Sequence, residues 1–234
     1  MRQCVYRLLL FLGFLIISSH AFSFEVNGIN YEVTSETDLT VEVSHNNYSG
    51  DIVIPENVEY NGKTYSVTFI GIRAFRGCSD LTSVTIPNGV YAIGGFAFSD
   101  CVSLTSVTIP NSVIGIEYCA FKNCVKLTSI TSLNTQPPEI AMDTFDRDTQ
   151  WHALLLVPIG CANIYRSQKN WQNFGNIQEI DTSSIEELED DSSSSQPHNN
   201  GVIYNLRGER INTSNANSLS KGIYIINGKK VFIK

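Results

Sequence analysis

The chain has 234 residues, 42% hydrophobic and 17% charged, a balance that suits a globular protein and excludes one disordered throughout. Sixteen Lys and Arg stand against 23 Asp and Glu, for a net charge of −7. Beyond the N-terminus the cations form no cluster, and a phosphate backbone needs clustered cations to release its counterions, so no nucleic-acid partner is expected.

Arg2 and Arg7 flank a polar start, Leu8 to Ile17 is almost unbroken apolar, and small residues follow. Both Ser19-His20-Ala21 and Ala21-Phe22-Ser23 fit a small-x-small cleavage site, so residues 1–23 read as a secretory signal peptide. The apolar run is about half the length of a bilayer span, and no later segment is longer, so no stable membrane span is expected. Cleavage leaves 14 Lys and Arg against 23 acidic residues, a net −9. The destination is outside the cytoplasm: the cell surface, the surrounding medium or the periplasm.

Residues 24–66 read as a β-rich N-terminal cap. Asn27-Gly28 and Asn61-Gly62 each sit between alternating apolar residues, the strongest short hairpin signal. An internal repeat follows. Cys78–Asp100 and Cys101–Asn123 are identical at thirteen of 23 positions, a third copy starts at Cys124 and breaks down at Ser132, and half a copy precedes the first. That makes about 3.5 repeats within residues 67–180. Val84 and Ile86 alternate with Thr85 as a strand with one buried face requires. Pro87 ends the strand and Asn88 supports the turn. Val90 and Ile93 then point inward, and Ala97-Phe98 closes the unit. One unit cannot offset the entropy of ordering its own backbone, so the units must stack and share a core.

The pattern C-x-x-L-T-S-V-T-I-P-N-x-V-x-x-I-x-x-x-A-F resembles the BspA-like leucine-rich repeat of bacterial cell-surface proteins. Ile54-Pro55, Tyr65-Ser-Val-Thr and Ile70-Gly71 resemble an irregular first repeat of that family. Pro137-Pro138, Phe145, Val157-Pro158, Tyr165, Trp171 and Phe174 to Glu179 resemble its closing segment. The resemblance implies a β-rich solenoid with a hairpin N-cap and a mixed C-cap. Ala153–Val157 reads as a strand of that cap and Ala162–Ser167 as a short helix. Trp171, Phe174 and Ile177 are expected to seal the last rung.

Five cysteines lie beyond the leader: Cys78, Cys101, Cys119, Cys124 and Cys161. Export puts a disulfide framework in question. Cys78, Cys101 and Cys124 occupy one rung position, about 4.8 Å apart, where parallel side chains rarely offer the torsion of a disulfide. They are expected as buried thiols, with Cys119 and Cys124 the pair to examine. No Cys-x-x-Cys occurs and His152 is the single histidine between residues 46 and 197, so no metal is expected.

Residues 181–200 hold six acidic residues and four consecutive serines, too polar to fold, and read as a linker. Residues 201–234 return to strand patterns, three of them, and make a small C-terminal β-module. Tyr204, Leu206, Gly208, Arg210, Lys221 to Ile225 and Asn227 to Lys230 resemble the C-terminal modules of exported Bacteroidota-type proteins. Two readings stay open for it, a type IX sorting tail and an accessory module.

No nucleophile with a base, carboxylate pair in a pocket-forming context or phosphate loop is present, so neither catalysis nor a cofactor is expected. Stacked repeats instead expose a long regular face suited to binding. The outward strand residues Thr82, Ser83, Thr85, Thr105, Ser106, Thr108, Thr128 and Ser129 repeat without variation. The full copies differ at Tyr91, Gly94, Gly95 and Phe96 against Ile114, Glu117, Tyr118 and Cys119. Tyr91, Phe96, Glu117 and Tyr118 are therefore the candidate contact patch. The resemblance implies an adhesion-like module that binds an extracellular or host protein or glycan. The alternative is a structural component of the cell envelope.

Overall fold

The computed structural model describes residues 22–182 and, further on, the backbone of four short strands between residues 203 and 233. The signal peptide and acidic linker lie almost wholly outside the described residues, as do the side chains of the tail.

Strands β1 (Ser23–Val26) and β2 (Ile29–Ser35) pair antiparallel across Asn27-Gly28, whose φ angles of 53° and 80° are those a two-residue hairpin requires. β3 (Thr40–Val43) extends the meander against β2. After β4 (Gly50–Val53), a second hairpin joins β5 (Asn57–Tyr60) to β6 (Lys63–Ile70) across Asn61-Gly62, at φ 50° and 72°.

From there the chain winds as a coil. Its strands are β7 (Leu81–Thr85), β8 (Ala92–Ile93), β9 (Ser106–Ile109), β10 (Gly115–Ile116), β11 (Ser129–Ser132), β12 (Glu139–Ile140), β13 (Leu154–Pro158) and β14 (Asn176–Ile180). One face is a parallel sheet of six, in the order β4-β7-β9-β11-β13-β14. A second face stacks β3, β6, β8, β10 and β12 in parallel, with β2 and β1 added antiparallel at the N-terminal end. The parallel stacking thus begins at Thr40, ahead of the 23-residue pattern. Of the repeat's Leu-Thr-Ser-Val-Thr-Ile-Pro string the first rung, which opens at Thr40, keeps only the closing Ile54-Pro55, in register with Ile86-Pro87, and the β5–β6 hairpin separates it from the next rung.

A third side closes each turn. Backbone bonds run from rung to rung along it: Phe75 N–H to Ala97 O (2.7 Å), Phe98 N–H to Ala120 O (2.7 Å) and Phe121 N–H to Thr144 O (2.8 Å). Two positions per rung adopt the left-handed conformation, Arg73, Phe96 and Cys119 at the first and Gly77, Asp100 and Asn123 at the second. Behind this side runs an aromatic column, Tyr48, Phe75, Phe98, Phe121 and Phe145, with successive centroids 4.5, 4.8, 5.1 and 5.0 Å apart. Tyr48 takes in the first rung the place that Phe holds in the others.

The thiols stack beside this column. Cys101 Sγ donates to Phe75 O at 3.0 Å, Cys124 Sγ to Phe98 O at 3.1 Å and Cys78 Sγ to Asn46 O at 3.4 Å. All five described cysteines are free and buried. Burial pushes the Cys124 thiol up to about 12 and raises Cys101 further still. These side chains therefore act as donors across the rungs as well as small apolar fillers.

The C-terminal end is sealed by α1 (Arg147–His152), α2 (Ala162–Ser167) and a 3-10 turn, Trp171–Asn173. Trp171 is fully buried, and its Nε1–H donates to Pro138 O at 2.7 Å. Tyr165 Oη donates to Ser132 Oγ (2.6 Å) or Asn134 O (2.9 Å), so the polar Ser132, replacing Ile109 of the rung before, has a partner. Asn170 Nδ2 donates to Ile140 O at 2.6 Å. Farther on, β15 (Ile203–Asn205), β16 (Arg210–Ile211), β17 (Gly222–Ile226) and β18 (Lys229–Ile233) form an antiparallel sheet in the order β16-β15-β17-β18. The sequence suggests three strands there. The two-residue β16 is too short to show a pattern.

Candidate interaction surface

The outward face of the six-stranded sheet is as regular as its sequence. Ser83, Ser106 and Ser129 lie in one row, and Thr85 and Thr108 in the next. Thr82, Thr105 and Thr128 stand exposed at the strand entrances. At the N-terminal end Thr82 Oγ1 and Ser83 Oγ both donate to Asp51 Oδ1 at 2.7 Å, tying the first rung to the second. Toward the C-terminus the rows pass to Leu154 and Leu156, which end the hydroxyl array.

The variable residues behave differently. Tyr118 lies over Gly95 of the preceding rung: a Cβ at Gly95 would fall 2.9 Å from its ring. Glu117 Oε2 accepts the Gly95 N–H at 2.7 Å, and Phe96 meets the Tyr118 ring edge-on at 5.2 Å. Three of the four patch candidates, Phe96, Glu117 and Tyr118, thus converge on one glycine. Tyr91 is placed elsewhere, with its ring 5.9 Å from Phe69. Tyr91 and Tyr118 are both half-exposed.

Sequence reasoning missed two members of this cluster. Arg73 and Arg76 hold their guanidinium carbons 5.8 and 5.6 Å from the centroid of the Phe96 ring. Arg76 also faces Asp100 at 3.7 Å. A hydrogen bond from Asn123 first, then Ser99 and Arg76, hold the Asp100 carboxyl below its ordinary range. The Arg-x-x-Arg spacing gave no signal because it is not helical. It lies in a turn that brings both side chains to a ring 23 residues from the first.

Among the described residues no group of three or more His, Cys, Asp or Glu is placed to hold a metal ion, and no helix is long and apolar enough to cross a membrane.

Comparison with known proteins gives the surface a family context. A leucine-rich repeat protein from Bacteroides ovatus is 26% identical, with a TM-score of 0.47 over 70% of this chain and 42% of that one. Another from Bacteroides capillosus is 29% identical, with a TM-score of 0.45 over 51% of this chain and 87% of that one. A leucine-rich cell surface protein from Faecalibacterium prausnitzii is 19% identical, with a TM-score of 0.33 over 60% and 55%. The chain spans less than half the length of the B. ovatus protein. No curated protein matches it. The family model for the BspA type leucine-rich repeat region matches residues 66–196 in six copies, more than half of the chain. Repeats of this kind are interaction modules rather than catalysts. The chain belongs to the BspA type leucine-rich repeat family.

Proposed function

We propose that this protein is an exported, non-catalytic binding module that works at the cell surface or just outside it, contacting protein or glycan. The observation that supports this most is the break in regularity at Gly95. Phe96, Glu117 and Tyr118 gather there on a coil whose strand face is otherwise uniform, and a half-exposed Tyr118 ring set edge-on against the partly buried Phe96 is what a recognition surface needs. The uniform Ser/Thr rows then serve as the frame that holds the patch.

The division of labour along the chain is part of the proposal. Residues 1–23 direct export, 24–66 cap the coil and supply its irregular first repeat, 67–180 recognise, 181–200 space, and 201–234 serve as a sorting tail or an accessory module. Two measurements test it. Protease treatment of intact cells should cleave the chain. Arrays of extracellular proteins and glycans should show binding that falls in Tyr118→Ala, with the melting curve unchanged. A chain that stays protected inside cells, or array binding indifferent to Tyr118 and Phe96, counts against the proposal. An envelope spacer, the competing role, predicts surface exposure with no binding at all.

A further inference from the structure

We propose that the turn side around Arg73, Arg76 and Phe96 binds an extended acidic polysaccharide, an assignment that rests on the surface-binding role above. Both guanidinium groups lie over one ring, which fixes their planes while leaving their N–H groups available to carboxylate or sulfate. With His45, Ile72 and Asp100 they line a shallow depression of about 590 Å³. Among the described residues Arg73 has no carboxylate within ion-pair distance, and Arg76 meets Asp100 only at 3.7 Å. The acids on this side are turned to their own chain. Asp100 accepts from Asn123 and Ser99, Glu117 from the Gly95 N–H, and Asp146 from the Asn123 N–H. Among the described residues Arg73 has no comparable engagement, and Arg76 has only its contact with Asp100.

Spacing favours a polymer with a regular charge. The bonds Gly77 N–H to Ser99 O and Asp100 N–H to Lys122 O put Arg76, Ser99 and Lys122 in one row. Arg76 and Lys122, both exposed, therefore stand two rungs apart with the buried Ser99 between them, about 10 Å at the usual strand separation. That is close to the length of two sugars in an extended chain that carries an acid on every sugar or on every second one. The half-exposed Tyr118 ring beside Phe96 supplies a flat apolar surface for a sugar face. A peptide is less suited. The backbone groups it would pair with are consumed by the bonds between Phe75 and Ala97 and between Phe98 and Ala120.

The test titrates the full-length chain against immobilised heparin, polygalacturonate, neutral dextran and polyglutamate at fixed ionic strength. Both acidic polysaccharides should bind, more weakly as salt rises, and the other two should not. Arg73→Gln with Arg76→Gln should weaken binding at least about tenfold. Lys63→Gln, on the β5–β6 hairpin, should leave it unchanged, with dichroism melts showing each variant folded. The assignment is overturned if neither polysaccharide binds, if polyglutamate binds equally, or if the double variant binds like wild type. Such a failure in a chain that is cleaved from intact cells, and whose array binding depends on Tyr118, leaves the surface role standing. A chain confined inside cells removes that role and this assignment together.

Discussion

Glu42 carries an awkward charge in the N-terminal meander. It sits directly opposite Glu32 across β2 and β3, and its carboxyl crowds Gly71, where a Cβ would fall 2.7 Å from Oε1. Burial first, and Glu32 second, raise its carboxyl above the ordinary range. The folded protein therefore holds a proton that the unfolded chain releases, and stability is lost as pH rises through that window. Glu42→Gln should raise stability at pH 7 by about 0.5 kcal/mol, or about 1–2 °C in Tm. The gain should fade below about pH 4, where both states are protonated. An equal gain at both pH values rules out the charge as its origin. Glu32 and Glu42 look like ordinary solvated acids in the sequence, because strand register decides whom each one faces.

At the scale of the element, the turn side explains why adjacent glycines have different duties. A Cβ at Gly94 would lie 2.9 Å from Ile72 N and 3.0 Å from Ile70 O, backbone atoms that cannot move aside. A Cβ at Gly95 would meet side chains alone, the ring of Tyr118 at 2.9 Å, which is half-exposed and free to swing outward, and Glu117 Oε2 at 3.3 Å. Gly94→Ala should cost about 1–3 kcal/mol. Gly95→Ala should cost about 1 kcal/mol or less and leave Tyr118 more accessible to solvent. Thermal melts and tyrosine nitration of the two variants read these effects separately, and equal destabilisation contradicts the distinction. The strand, proline turn and inward phenylalanine of each unit were legible because they recur every 23 residues. The seat of Tyr118 on Gly95 was not: the two share one repeat position, 23 residues apart, but the period does not show that the side chain of one copy folds back over the glycine of the copy before. The start of the irregular first repeat, at β3 and Tyr48, was hidden for a simpler reason. Its Tyr48 and Gly50 match the repeat in shape but not in letters.

Over the whole molecule, one buried core runs without interruption from Phe24 in β1 to Ile177 in β14. The aromatic column continues past Phe145 to Phe174 and Trp171, at 5.4 and 6.1 Å. Coils of this type are stabilised by nearest-neighbour contacts, and one this short should unfold as a unit. Trp151 is 69% exposed while Trp171 is buried, so Trp151→Phe leaves a single reporter at the C-terminal end. Its fluorescence and far-ultraviolet dichroism should then give coincident denaturation curves. Separate midpoints would mean that the C-terminal cap melts on its own. The sequence shows where such a coil lies, through its period, and which residues close its ends, but not the contacts by which they do so. Trp171 reaching Pro138 and Tyr165 reaching Ser132 span 33 residues each and obey no repeat.

The thiol column gives the coil a direction. Each of Cys78, Cys101 and Cys124 donates backward, to a carbonyl 26 to 32 residues earlier in the chain. A coil laid down from its N-terminal end therefore engages each thiol on the layer already in place as the new layer arrives. Growth from the other end would leave each finished layer with a waiting sulfhydryl. In oxidising surroundings, the first order of assembly would shelter these three thiols layer by layer as the coil grows.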